Sequence, residues 1–179
     1  MNAADSLAGL MRRLVAYLFD CVLLFTLVLA SQAALFALGA HPFMKSLQAA
    51  PIPASTAKLH LWVFASTTLP FLAYFSMSFR SARGATVGQR LAGLRVVGKA
   101  SNRLKAGASL TRALVLLVPF ELNHAAMFHL HGPNVAPGLA EAATGAVILI
   151  CLVYLALPLL RRDRRSLHDM AAASFVERV

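Results

Sequence analysis

Long apolar runs separated by polar segments dominate the pattern of this chain. The runs cover residues 14–38, 59–79, 110–130 and 139–160. Each is close to the ~20 residues that an α-helix needs to cross ~30 Å of hydrocarbon. The pattern therefore predicts an all-α polytopic membrane protein with four transmembrane helices.

The first run contains a single charged residue, Asp20. A carboxylate inside a membrane helix costs about 2.5 to 3.5 kcal/mol on insertion scales unless it faces protein or water. Arg13 precedes Asp20 by about two helical turns, so both side chains leave the same helix face. We expect that face to lie inside a helix bundle. The run is too long for the apolar core of a signal peptide, so we interpret it as an uncleaved helix.

The third run is interrupted by polar residues, and two interpretations remain open. In the first, the run is one span, and Glu121 and His124 form a proton-handling or metal-binding cluster near His131. In the second, the helix ends near Glu121 and these residues lie in interfacial water. His129 falls on another face of the helix and completes no recognised ligand pattern.

A basic loop joins the second and third runs. Residues 80–112, which include the predicted loop 80–109, contain eight Lys or Arg residues and no acidic residue. Within the loop, Val87, Leu91 and Leu94 have the spacing of a short amphipathic helix that lies on a membrane surface. The loop is therefore expected to hold a short helix beside the bundle.

The same loop predicts a small β element. Residues 94–97 are rich in β-branched side chains, and we expect them to pair with residues 174–179 as a two-stranded sheet. Three glycines, Gly84, Gly88 and Gly93, either let the loop pack tightly under the helices or mark plain turns. The pairing of the strands would dock the tail under the bundle.

The distribution of basic residues predicts the orientation in the membrane. With four spans, fifteen Lys and Arg residues lie on one side and two on the other. The positive-inside rule then places both termini, the central loop and the tail 161–179 in the cytoplasm. We expect a multi-pass protein of the cell membrane, either inner or plasma.

Composition supports the membrane class and limits the possible functions. Hydrophobic residues make up 59% of the chain, charged residues 13%, and the mean hydropathy is +0.68. The net charge of +10 is explained by attraction to anionic lipid head groups, so no nucleic-acid partner is expected. No nucleophile elbow, His-Glu-x-x-His pattern or cysteine cluster occurs in the sequence. We therefore expect no catalytic residues, no metal and no cofactor.

Three segments resemble the RDD family of small membrane proteins, which is named for an arginine and two aspartates. These segments are residues 13–20, 84–97 and 165–176. The resemblance implies one membrane domain over residues 1–179. It also implies that the signature residues are Arg13, Asp20 and Asp169.

A buried aspartate is held well by an arginine, because the guanidinium satisfies both carboxylate oxygens and stays charged. The candidate partners of Asp20 are Arg90 and Arg13, and both stay open. Asp169 is then expected to pair with Arg13 or Arg90. His168 stands beside Asp169 and belongs to the same predicted network.

Two functions follow from these residues and from the resemblance. RDD proteins have been suspected of moving ions or small ligands, and some are linked to sodium and proton exchange. In this hypothesis Asp20 binds the cation or proton, while Glu121 and His124 form an outer relay. No inverted repeat is evident, so transport would require a homo-oligomer or a partner membrane protein. The alternative is an assembly protein whose basic face binds anionic lipid or another protein.

Overall fold

The computed structural model describes residues 3–41, 56–99, 103–130 and 138–179. It is mostly helical. In chain order the elements are α1 (Ala3–Ala37), α2 (Thr56–Arg80), α3 (Val87–Leu91), β1 (Leu94–Gly98), α4 (Ala106–His129), α5 (Leu139–Leu160), α6 (Leu167–Ala171) and β2 (Ser174–Arg178). A π-helical stretch, Phe64–Thr68, lies inside α2.

Within the described residues, three helices are long and apolar enough to cross a membrane. They comprise Ala8–Ala37 of α1, all of α2 and all of α5. Helix α4 is equally long, but Arg112 and Glu121 lie within it. It continues without interruption to His129, so the interpretation that it ends near Glu121 is wrong. The reason is that Glu121 finds its partners on α2, as described below.

The core lies where α1, α2 and α4 meet. Helix α2 contributes Phe71, Phe75 and Phe79, which are spaced four residues apart and therefore share one face. Leu24 of α1 and Leu117 of α4 pack in the same buried cluster. This packing fixes how deep in the bundle the polar side chains lie that stand one helical turn from the cluster.

The elements α3, β1, α6 and β2 form a small unit at one end of the bundle, which we call the cap. The predicted sheet is confirmed: β1 and β2 pair antiparallel, with Val96 opposite Val176. Both short helices begin with a capping box, in which Thr86 pairs with Gln89 and Ser166 pairs with Asp169. Each box satisfies backbone donors that such a short helix would otherwise leave open.

Each element of the cap recurs 80 residues later in the chain. Helix α3 corresponds to α6, and β1 corresponds to β2, with equal lengths and the same numbering shift. Left-handed backbone recurs at the same shift, at Gly84 and Arg164 and again at Gly93 and Ala173. The sheet is centred on Val96 and Val176, which are themselves equivalent. The cap therefore has local two-fold symmetry, and the chain is a tandem repeat of two long helices followed by a short helix and a strand.

Candidate functional site

Asp169 is the centre of a buried ionic network between α6, α1 and α4. Arg112 donates to its Oδ1 from Nη2 at 2.5 Å and from Nε at 3.2 Å. Arg13 donates to its Oδ2 from Nη1 at 3.3 Å. Ser166 donates to the same Oδ2 from its backbone nitrogen at 3.1 Å and from Oγ at 2.7 Å. Both carboxylate oxygens are therefore fully engaged.

The network is withdrawn from solvent and carries an excess positive charge. Arg112 and Asp169 are both 0% exposed, and the Arg112 guanidinium lies 4.3 Å above the centre of the Phe79 ring. Burial on its own raises the pKa of Asp169. The charge of Arg112 outweighs that effect and holds the pKa of Asp169 well below its usual range. With Arg13 and Arg112 opposed by one aspartate, an unbalanced positive charge remains.

His168 joins this network to a cavity and stays neutral. Its Nε2 lies 2.7 Å from Oγ of Ser166 and 3.0 Å from Oη of Tyr17. Burial lowers the pKa of His168 to about 3, and the charge of Arg112 acts in the same direction. Because Ser166 gives its proton to Asp169, Nε2 is the protonated nitrogen that donates to Ser166. The other nitrogen, Nδ1, is buried and has no partner among the described residues.

These shifts predict that acid destabilises the protein. The unfolded chain protonates His168 near pH 6.5, whereas the folded protein does so only near pH 3, so stability falls as pH drops through this window. Asp169, whose folded pKa is also lowered, adds a further loss below its ordinary pKa of 3.8. Thermal unfolding in detergent from pH 7.5 to 4.5 measures the slope. His168→Gln should flatten it. An equal slope in His168→Gln would contradict the assignment.

Asp20 is held by neutral donors from α2 and the cap. Tyr74 donates to Oδ1 from its hydroxyl at 2.6 Å, and the backbone nitrogen of Gly88 donates to the same oxygen at 2.8 Å. The hydroxyl of Thr86 donates to Oδ2 at 2.5 Å. Asp20 is 0% exposed, so this contact ties α1 to α3 without contact with bulk water.

The prediction that an arginine holds Asp20 is wrong for the described residues. Arg90 instead donates from Nε to the backbone oxygen of Ala85 at 3.2 Å. Arg13 pairs with Asp169, which is one of the two partners expected for that aspartate. Three neutral donors already satisfy the two oxygens of Asp20, so a guanidinium is not required there.

The three glycines of the loop have different roles. A Cβ on Gly88 would lie 2.0 Å from the backbone oxygen of Ala16, so only glycine lets α3 approach α1 this closely. Gly93 has a φ of +64° and no such crowding, and it marks a turn. Gly84 combines a φ of +59° with a close approach, because its Cβ would lie 2.6 Å from the oxygen of Val96.

Glu121 forms a second polar cluster, on the side of the bundle away from the cap. Its carboxylate accepts from Thr68 at 2.7 Å and lies 2.7 Å from Nε2 of His60 and 3.7 Å from Nδ1 of His124. His60 also reaches His129, with 2.8 Å between their ring nitrogens. His129 lies on another face of α4, as predicted, and joins the cluster only through His60.

Within the described residues no group of three or more His, Cys, Asp or Glu side chains is arranged to hold a metal ion. His131, which the sequence associated with this cluster, lies outside the described residues. The cluster around Glu121 is thus a chain of hydrogen-bonded titratable groups.

A layer of aromatic side chains separates Asp20 from Glu121. The ring centres of Phe25, Phe71 and Phe120 lie 5.2 to 6.0 Å apart. On α2 the order is Thr68, Phe71 and Tyr74, so the partner of Glu121, the aromatic layer and the partner of Asp20 follow one another at three-residue intervals. The two carboxylates therefore lie on opposite sides of an apolar barrier.

A cavity of about 480 Å³ opens between α1, α4 and α5. Its walls are almost entirely apolar. Its polar end, next to the cap, is formed by Arg13, Tyr17, Ser166 and His168. One of the two arginines of the ionic network therefore borders a space large enough for a small molecule or an acyl chain.

Sequence reasoning missed Arg112, Tyr74, Thr86 and His60. Arg112 had the same signal as Asp20, because it is a charge inside an apolar run. Thr86 is recognisable as the first residue of a Thr-x-x-Gln capping box. Tyr74 and His60 have no local signal, since their roles depend on contacts with other helices.

The model of the RDD family matches residues 7–173. No curated protein and no solved structure matches the chain.

Proposed function

Because this chain belongs to the RDD family and has helices able to cross a membrane, we propose that it is a multi-pass cell-membrane transporter of a cation or proton. Asp20 and Glu121 are the binding groups at the two ends of the path. The Arg13–Asp169–Arg112 network holds the cap against the helices.

The proposal includes four spans with both termini and the cap in the cytoplasm. Helix α4 has 24 residues, about 36 Å, and its Arg112 and Glu121 are neutralised or hydrogen-bonded inside the bundle. Fifteen basic residues would then lie on the cap side and two on the other. Asp20 lies toward the cytoplasm in this arrangement, and Glu121 toward the outside.

The observation that carries the proposal is the pair of carboxylates on either side of one aromatic layer. Ionisable side chains within membrane helices mark ion or proton pathways by default. Asp20 is surrounded by the hydroxyl oxygens of Tyr74 and Thr86, which are hard ligands suited to a proton or an alkali cation. The layer formed by Phe25, Phe71 and Phe120 closes the path in this conformation.

The contacts of Asp20 also couple its occupancy to the position of the cap. A proton or cation on the carboxylate competes with the donated hydrogens of Thr86 and Gly88. Loss of these bonds weakens the attachment of α3 to α1. A ligand that favours the detached state shifts the population toward it, which is the requirement for alternating access.

Flux measurements in liposomes test the proposal. Purified wild type is expected to carry sodium- or pH-gradient-driven flux, and Asp20→Asn should reduce that flux to the level of protein-free liposomes. Glu121→Gln, which alters the half-buried outer cluster, should reduce it as well. Asp163→Asn, which changes an exposed carboxylate in the tail, is the control and should leave it intact. The absence of flux from folded wild type under any gradient would contradict transport.

The hydrogen bonds that already satisfy the carboxylate of Asp20 favour a second candidate function, an assembly role. All three of its contacts are made by the protein itself, and in this role the aspartate locks α3 onto α1. The protein would then act as a homo-oligomer or with a partner membrane protein. Unfolding of Asp20→Asn, together with no flux in wild type, is the result that this role predicts.

A further inference from the structure

A second cavity adjoins the apolar one at the cap. It has a volume of about 240 Å³ and lies between the start of α1 and the segment that follows α5. Leu10, Arg13 and Pro158 line both cavities. The two spaces therefore meet at Arg13 and form one groove with an apolar part and a basic part.

The basic part has more positive than negative charge. Arg12, Arg162, Arg164 and Arg178 line it, and Asp163 is the acidic residue among its lining side chains. Asp163 is already bound by Arg161, at 2.8 Å and 3.0 Å. Arg12 and Arg162 are exposed and have no ion-pair partner among the described residues. The groove thus offers unpaired cations to an anion.

The apolar part has the length of one leaflet. Along α5 it extends from Val147 to Pro158, roughly 17 Å at 1.5 Å per residue. One leaflet of the hydrocarbon core is about half of ~30 Å, so an acyl chain fits this depth. Arg13 stands at the junction, where the polar head of a lipid meets its chains.

We propose that this groove binds one anionic phospholipid. An acyl chain occupies the cavity between α1, α4 and α5, and the phosphate lies against Arg12, Arg13 and Arg162. The groove is one defined lipid-binding site, which is more specific than the general attraction of a basic surface for anionic membranes. It does not depend on transport, because neither Asp20 nor Glu121 lines the groove.

Native mass spectrometry tests the head-group contacts. Protein exchanged into an equimolar mixture of phosphatidylglycerol and phosphatidylcholine should retain one phosphatidylglycerol per chain. Arg12→Gln with Arg162→Gln should weaken that binding about 10-fold or more, since each basic residue contributes about 1 kcal/mol. Arg80→Gln with Arg83→Gln removes two exposed charges elsewhere on the cap side and should have no effect. Equal retention of both lipids, or equal loss in the two double variants, would overturn the proposal.

The two cysteines provide a matched test of the chain contacts. Both cysteines are exposed, but Cys151 lines the apolar cavity and Cys21, on α1, does not. Cys151→Trp should reduce retention of phosphatidylglycerol, and Cys21→Trp should not. Glycerophosphate, which has the head group without the chains, should fail to displace the lipid. Full displacement by glycerophosphate, or no effect of Cys151→Trp, would show a simple anion site and overturn the proposal.

Discussion

Asp169→Asn is expected to lower the free energy of unfolding by about 3 to 5 kcal/mol, because it leaves the Arg112 guanidinium buried without its counter-charge. Arg112 is 0% exposed, and its shortest contact is with Asp169. The substitution also weakens the capping box of α6, in which Asp169 accepts from Ser166. The cap should therefore separate from α4 under conditions in which wild type stays folded. Denaturant titration of the purified protein in detergent micelles, followed by far-UV circular dichroism, measures the change.

Two further variants separate the buried charge from general damage. Asp163→Asn removes an exposed carboxylate of the tail and should leave the unfolding midpoint unchanged. Arg112→Met combined with Asp169→Leu removes the buried charge together with its partner and should recover part of the lost stability, while the capping box of α6 stays lost. If the double variant is no more stable than Asp169→Asn, the uncompensated charge is not the cause.

Gly88→Ala is expected to destabilise the protein by about 3 kcal/mol or more, which is the upper end of the range for overpacked sites. The new Cβ would lie 2.0 Å from the backbone oxygen of Ala16 and 3.0 Å from Cγ of Asp20. Since the nearest atom belongs to the backbone of a long helix, α3 has to move away from α1. Asp20 then loses the Gly88 and Thr86 donors and becomes a buried, poorly satisfied carboxylate.

Gly145→Ala is the matched control for this substitution. Gly145 lies inside α5, and nothing stands within 4 Å of the position of its Cβ. Removing a glycine from a helix there should stabilise it by about 0.5 to 1 kcal/mol. The same denaturant titration compares the two variants. A Gly88→Ala protein as stable as Gly145→Ala would mean that α3 does not pack against α1 in this way.

Much of the fold could be predicted from local sequence. Apolar runs predict helices, and the β-branched Val96 and Val97 predict the strand that pairs with the tail. The partners of the buried charges could not be predicted, because helical periodicity gives the depth and face of a side chain but not its neighbours on other helices. As far as the sequence shows, an arginine or a set of neutral donors would satisfy the carboxylate of Asp20 equally well. The structure has the neutral donors.

The cluster around Glu121 illustrates the same limit. Glu121 and His129 are about 80° apart around α4, so a helical wheel of α4 alone places them on different faces. His60, which is 61 residues away from Glu121, joins them through its two ring nitrogens. A contact between residues so far apart in the chain leaves no local pattern in the sequence that would predict it.

The repeat escaped detection because its two copies have diverged. Among the equivalent positions of the cap, identity survives at Ala92 and Ala172 and at Val96 and Val176. The two halves also attach their short helices through hydrogen bonds that run in opposite directions. In the first half the acid, Asp20, lies on the long helix and the cap donates. In the second half the acid, Asp169, lies on the cap and the long helix donates through Arg112.

The pairing of β1 with β2 also has a consequence for biosynthesis. The two strands are 80 residues apart, so a ribosome adding about 5 to 20 residues per second completes β1 roughly 4 to 16 s before its partner. During that interval α4 and α5 are synthesised while the edge of β1 stays unpaired. Closure of the sheet is thus a late step in the folding of the chain. Until the sheet closes, the unpaired edge of β1 is a template on which another chain can add a strand.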